Sequence, residues 1–124
     1  MTDLAISIDM KKSRITIYKS TLHYLGDPTY ISLIINPNES SLCVLCSSRE
    51  DKTAHRVQPR SENSSRKEHH DLYSTSFVNA LRSLCPKWQD KDLVRMTGEP
   101  VLSKRMVRFS LKDAKRSGRR GSES

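Results

Sequence analysis

Residues 6–46 constrain the fold more than any other stretch, because their apolar residues follow a strand period broken by strong turn signals. Leu4, Ile6, Ile8 and Met10 alternate with Ala5, Ser7 and Asp9, which predicts a strand with one buried face. Lys11-Lys12-Ser13-Arg14 is a polar reversal, after which Ile15 and Ile17 resume the alternation with Arg14, Thr16 and Tyr18 facing the other way. A short helix over about 20–26 follows. Ser20 or Thr21 can cap its start, Leu22 and Leu25 share one face, and Gly26 supplies the left-handed residue that ends it. Asp27-Pro28 prevents continuation, since proline has no amide hydrogen and restricts the residue before it. A third strand then sets Ile31, Leu33 and Ile35 on one side, turns at Asn36-Pro37-Asn38-Glu39, and returns over 42–46.

After Ser47 the composition shifts to Ser, Arg, Glu, Lys, His and Asn. Residues 47–72 read as a polar, mobile connector that touches the sheet once at Val57, with disorder over 59–68, because so polar a stretch buries too little to offset its ordering entropy. The clearest helix spans about 74–85: Phe77, Leu81 and Leu84 recur at helical spacing, Ser74 can cap the start, and Pro86 ends it. Residues 93–97 and 105–111 predict two strands around a Gly98-Glu99-Pro100 turn, the second with Val107, Phe109 and Leu111 inward. Residues 112–124 read as a basic disordered tail. The expected fold class is therefore α+β: a mostly antiparallel sheet of hairpins, one short helix and one longer helix, in a single domain over 1–111.

A chain of 124 residues with a hydrophobic fraction of 35% has a thin core, for which oligomerisation is a common remedy. Three cysteines fit a reducing compartment, and the absence of an export signal or a long apolar run makes the cytoplasm the expected location, with no membrane partner. The net charge of +8 is uneven: 1–46 is neutral, 47–92 carries +2, and 93–124 carries nine Lys/Arg against three Asp/Glu. Such asymmetry points to a polyanionic partner, most often nucleic acid; a solvated tail without a partner is the plainer reading.

Catalytic and metal constellations are not legible. Cys43 and Cys46 form a CxxC, but residues three apart on a strand point to opposite faces, so they read as small packing residues. His69 and His70 are adjacent and diverge on any regular element, and the glycines form no phosphate loop. No catalytic, metal or cofactor site is expected, and the chain reads as non-enzymatic. The basic residues carry more. With Val94, Met96, Val107 and Phe109 inward, Arg95 and Arg108 project from the solvent face of one ribbon. Lys104 and Arg105 lie at its tip, and Lys112, Lys115 and Arg116 continue from its end. A two-stranded ribbon can enter a major groove and a basic arm can follow phosphates; an ordinary charged sheet face is the alternative.

The order strand, RITIYK, short helix ending in Leu25-Gly26-Asp27, then hairpin over 31–45, resembles the half-barrel unit of the AbrB/SpoVT-like swapped-hairpin transcription regulators. That resemblance implies a homodimer of interlaced units that binds DNA, with Lys11, Lys12, Arg14 and Lys19 as contacts. The whole chain also looks like small proteins of Firmicutes and their mobile elements. The expected function is DNA binding, with DNA favoured over RNA, as a regulator or accessory protein. The alternative is a protein-interaction module docking on a host or phage complex through a sheet edge or helix.

Overall fold

The structure, a computed structural model, describes residues 4–57, 69–101 and 105–117. Its strands are β1 (Leu4–Asp9), β2 (Arg14–Tyr18), β3 (Tyr30–Asn36), β4 (Ser41–Cys46), β5 (His55–Arg56), β6 (His69–Tyr73), β7 (Leu93–Val101), β8 (Met106–Ser110) and β9 (Lys115–Ser117). Two helices accompany them, α1 (Lys19–Tyr24) and α2 (Thr75–Leu84). Every described strand pairing is antiparallel, in the order β5-β3-β4-β8-β7-β1-β2-β6, with β9 also on β7.

This corrects the expected α+β class. Among the described residues strand makes up 47% and helix 19%, and the sheet curls into a nearly closed barrel. The two helices have six and ten residues, so neither is a long one. The physical reason is that backbone pairing extends where side-chain pattern is weak. Residues 55–56, 69–73 and 115–117 all join the sheet, and β7 runs straight through Gly98-Glu99-Pro100 where a turn was expected. Strand β6 lies mostly in the segment read as a mobile connector, and β9 lies in the segment read as tail. The expectation of disorder over 59–68 falls outside the described residues.

Strand alternation places the core. Ile6 and Ile8 stand opposite Ile17 and Ile15 on one side and Met96 and Val94 on the other. Val107 and Phe109 meet Val44 and Leu42, and all of these side chains are buried inside the barrel. Gly98 lies directly opposite Phe109, and a β-carbon there would stand 2.6 Å from the ring, so glycine lets the phenylalanine fold across β7. The helices seal the interior. Leu22 and Leu25 of the α1 turn and Val78 and Leu81 of α2 are buried in the same core.

The two helix starts differ. Ser74 caps α2 as expected, accepting from the Phe77 amide at 3.2 Å. Thr21 is not a cap: its hydroxyl accepts from the Ala5 amide and donates to the Ala5 carbonyl, both at 3.0 Å. It satisfies the edge of β1 at the point where β2 has turned away into α1. Gly26 takes the expected left-handed conformation at φ +89°.

β8 and β9 lie along the same edge of β7 as one interrupted strand. Gly98 pairs with Phe109, whereas Arg95, three residues away on β7, pairs with Lys115, six residues away on the other side. The three extra residues are taken up by a single 3-10 turn over Leu111–Asp113, whose Leu111 amide donates to the Ser40 carbonyl at 2.8 Å.

Candidate nucleic-acid interface

The alternation that buries Val94 and Met96 turns Arg95 outward. Register then fixes its neighbours on the barrel's outer face: Lys115 across on β9, and Ser7 across on β1, followed by Thr16 of β2 and Asp71 of β6. The Arg95 guanidinium lies 4.9 Å from the centre of the Tyr18 ring, a cation–π contact worth about 0.5–1 kcal/mol at an exposed site. Tyr18 is held in turn, its hydroxyl 3.1 Å from that of Ser7. The Thr16 hydroxyl donates to Asp71 at 2.7 Å.

The neighbouring row on the same face is Leu93, Asp9, Arg14 and Tyr73. Asp9 is buried and organises the β1–β2 turn. It accepts the amides of Lys11 and Lys12, both at 3.1 Å, and pairs with the Arg14 guanidinium at 3.3 Å. Lys11 and Lys12 stand exposed at the tip, and Tyr73 beside Arg14 is 65% exposed. Five cations and two carboxylates thus occupy the face from β9 to β6, together with an aromatic ring open to solvent.

The basic residues singled out from the sequence divide into groups. Lys11, Lys12, Arg14, Arg95 and Lys115 share this face. Lys19 opens α1, and Arg105, beside Gly26, stands at the end of the barrel that α1 covers. Lys112 is exposed in the 3-10 turn. Arg108 does project outward as expected, but it pairs with Glu39 of the β3–β4 turn at 3.4 Å. Arg116 reaches the Lys87 carbonyl and, at 3.2 Å, the Asp92 carboxylate, tying β9 to the loop before β7. Lys104 lies outside the described residues. β7 and β8 are interior strands of the sheet, so they offer a curved face and not a projecting ribbon.

Strand alternation alone sets Tyr18 outward with Arg14 and Leu93 outward with Arg95; what sequence reasoning missed was Tyr73 as a member of the face. The signal for Tyr73 was its alternation with Leu72, which is buried opposite Ile15. Helix-opening composition at Ser74 masked it.

Elsewhere the polar groups are structural. Cys43 faces outward opposite Arg108, while Cys46 donates its thiol to the Leu25 carbonyl at 3.1 Å, so the two sulfurs diverge. Burial pushes the Cys85 thiol pKa up, away from nucleophilic use. Among the described residues no group of three or more His, Cys, Asp or Glu is placed to hold a metal ion. Asp51 accepts from the Ser47 hydroxyl at 2.7 Å, from the Thr53 hydroxyl and amide at 2.7 and 2.9 Å, and from Ser32 at 3.1 Å. These bonds hold its carboxyl far below the usual carboxylate range and knot the loop between β4 and β5. No helix among the described residues is long and apolar enough to cross a membrane. No family model matches the chain, and neither the curated proteins nor the solved structures contain a match.

Proposed function

We propose that the protein is a non-enzymatic nucleic-acid-binding protein whose natural ligand is DNA. The observation that carries this reading is the outward pair Arg95–Lys115, seated on Tyr18 and continuous with the Lys11–Lys12 turn. Phosphates would be met by these cations, since they stand on a solvent face while Arg108 and Arg116 are occupied by carboxylates. The basic residues Arg119 and Arg120 extend the same positive charge along the sequence. A role as a dimeric regulator or accessory protein follows from the likeness of residues 6–46 to the swapped-hairpin regulators, and sedimentation at working concentration tests the dimer.

The deciding experiment is a salt titration of DNA binding, comparing the full chain with one ended after Ser117. Counterion release makes the logarithm of affinity fall linearly with that of salt, by about 0.9 per duplex phosphate neutralised. Retention of binding by the shorter chain assigns the activity to the barrel face; loss assigns it to 118–124. Absence of binding at low salt ends the reading.

A second reading, docking of an extended peptide, is favoured by β3. Its start is covered by β5, but from Ser32 to Asn36 its described partner is β4 alone, and Ile34 is 49% exposed.

A further inference from the structure

We infer that the face spanning β9, β7, β1, β2 and β6 is built for single-stranded DNA and not for duplex. This inference rests on the nucleic-acid reading above and specifies its ligand. Three observations carry it.

Shape is the first. Sequence-reading proteins insert a helix or a two-stranded ribbon into a major groove. The cations here lie on the outer wall of a nearly closed barrel: Arg95 and Arg14 on strands with neighbours on both sides, Lys115 on β9 along the edge of β7, and Lys11 and Lys12 in the β1–β2 turn, so no two-stranded ribbon projects from the wall. At a strand spacing of about 4.8 Å the five strands give a track roughly 19 Å long, which a flexible single strand can follow over a curved surface.

Stacking surfaces are the second. Tyr73 is the most exposed large hydrophobic residue described, and it stands directly opposite Arg14. Nothing in the packing of the barrel requires it, because Leu72 supplies the buried side chain of β6. An exposed ring beside a guanidinium is a platform for an unpaired base; a base held in a duplex presents only its edge. Arg95 adds a second platform, since Tyr18 lies under one side of its guanidinium and the residue is exposed to solvent on the other.

The third concerns the sugar. RNA is told from DNA at the ribose 2′-hydroxyl, through side chains that can donate to it or accept from it. On this face the hydroxyls of Ser7 and Thr16 are engaged by Tyr18 and Asp71. The groups on this face most open to a ligand are Lys11, Lys12, Arg95, Lys115 and Tyr73, which bind phosphates and bases without requiring a ribose.

The test uses the full chain and fluorescence anisotropy with a labelled 15-mer of deoxythymidine, a 15-base-pair duplex and a 15-mer of uridine, at several salt concentrations. The deoxythymidine strand is expected to bind at least tenfold more tightly than the duplex and more tightly than the uridine strand. Tyr73→Ala should weaken single-strand binding roughly tenfold, the order expected for one lost base–aromatic stack, while Tyr73→Phe retains it. Lys52→Ala, which removes one exposed charge from the β4–β5 loop, should leave it unchanged. Because Tyr73 lies outside the core, circular dichroism of the variant should match that of the parent. Equal or tighter duplex binding, or an unaltered Tyr73→Ala, overturns the single-strand assignment while the nucleic-acid reading stands. Tighter binding of the uridine strand overturns the choice of DNA. Failure of all three probes at low salt removes the broader reading itself.

Discussion

Two walls of the same barrel, β3-β4-β8 and β9-β7-β1-β2, share one interior and differ on the outside. Inward, the first presents Ile31, Leu42, Val44, Val107 and Phe109, and the second Ile6, Ile8, Ile15, Ile17, Val94 and Met96. Outward, the first wall carries Ser32, Ile34, Cys43 and Leu45, and its Arg108 is held by Glu39. The second carries Arg95 and Lys115 side by side, a lysine turn organised by Asp9, and aromatic rings at Tyr18 and Tyr73. The core accounts for the closure of both walls but not for this difference. The Arg95–Tyr18 and Arg14–Asp9 contacts tie part of this charge to the wall, and the proposed nucleic-acid ligand would account for the rest.

The comparison can be broken first from the inside, where the effect is largest. Gly98→Ala places a methyl group 2.6 Å from the Phe109 ring, at the seam where β7 joins the two walls. Overpacking of this kind costs about 1–3 kcal/mol, so chemical denaturation should show a lower midpoint with an unchanged slope. A variant as stable as the parent would mean that the seam is looser than the register implies.

Next, the walls can be told apart by charge removal. The double variant Arg95→Ala/Lys115→Ala should make the salt dependence of DNA binding shallower by roughly 0.7 per cation on a single strand and 0.9 on a duplex. Arg108→Ala should leave that slope unchanged, because its charge faces Glu39. Equal effects from both would show that net charge matters and placement does not.

The smallest effect sharpens the quieter wall. Asp51 has its pKa lowered chiefly by the Ser47 hydroxyl and then by Thr53. A lowered folded pKa means that its contribution is complete above the ordinary value of about 3.9 and is lost only as pH falls through the depressed one. The Asp51 side-chain carboxyl carbon should therefore show no NMR inflection near pH 3.9. An ordinary titration there would mean that the loop between β4 and β5 is not knotted as described.

Much of the interior was legible in the sequence because period-2 alternation is a local signal. Ile6, Ile8, Ile15, Ile17, Val107 and Phe109 could be assigned inward from their spacing alone, as could the outward turn of Arg95 and Arg108. The barrel was not legible, because its completing strands carry little side-chain pattern. β6 offers only Leu72 to the core, and β9 pairs by backbone against an edge that exists only once β7 is in place. The candidate site was half legible for the same reason. Its cations could be marked in the sequence, but sorting them required pairings between distant residues: Arg108 with Glu39, Arg116 with Asp92, and Arg95 with Tyr18. None of these spacings has a sequence signature.

The 3-10 interruption between β8 and β9 also separates two levels of cooperativity. β8 is locked between β4 and β7 and opens only when the whole barrel does, whereas β9 is held by three register pairs and the Arg116 clasp. Amide exchange should therefore run through a low-energy local opening in the last strand and through global unfolding in β8. Substitutions within β9 consequently escape most of the folding constraint that governs β8. The cationic margin of the outer wall can be retuned in evolution, residue by residue, without renegotiating the barrel.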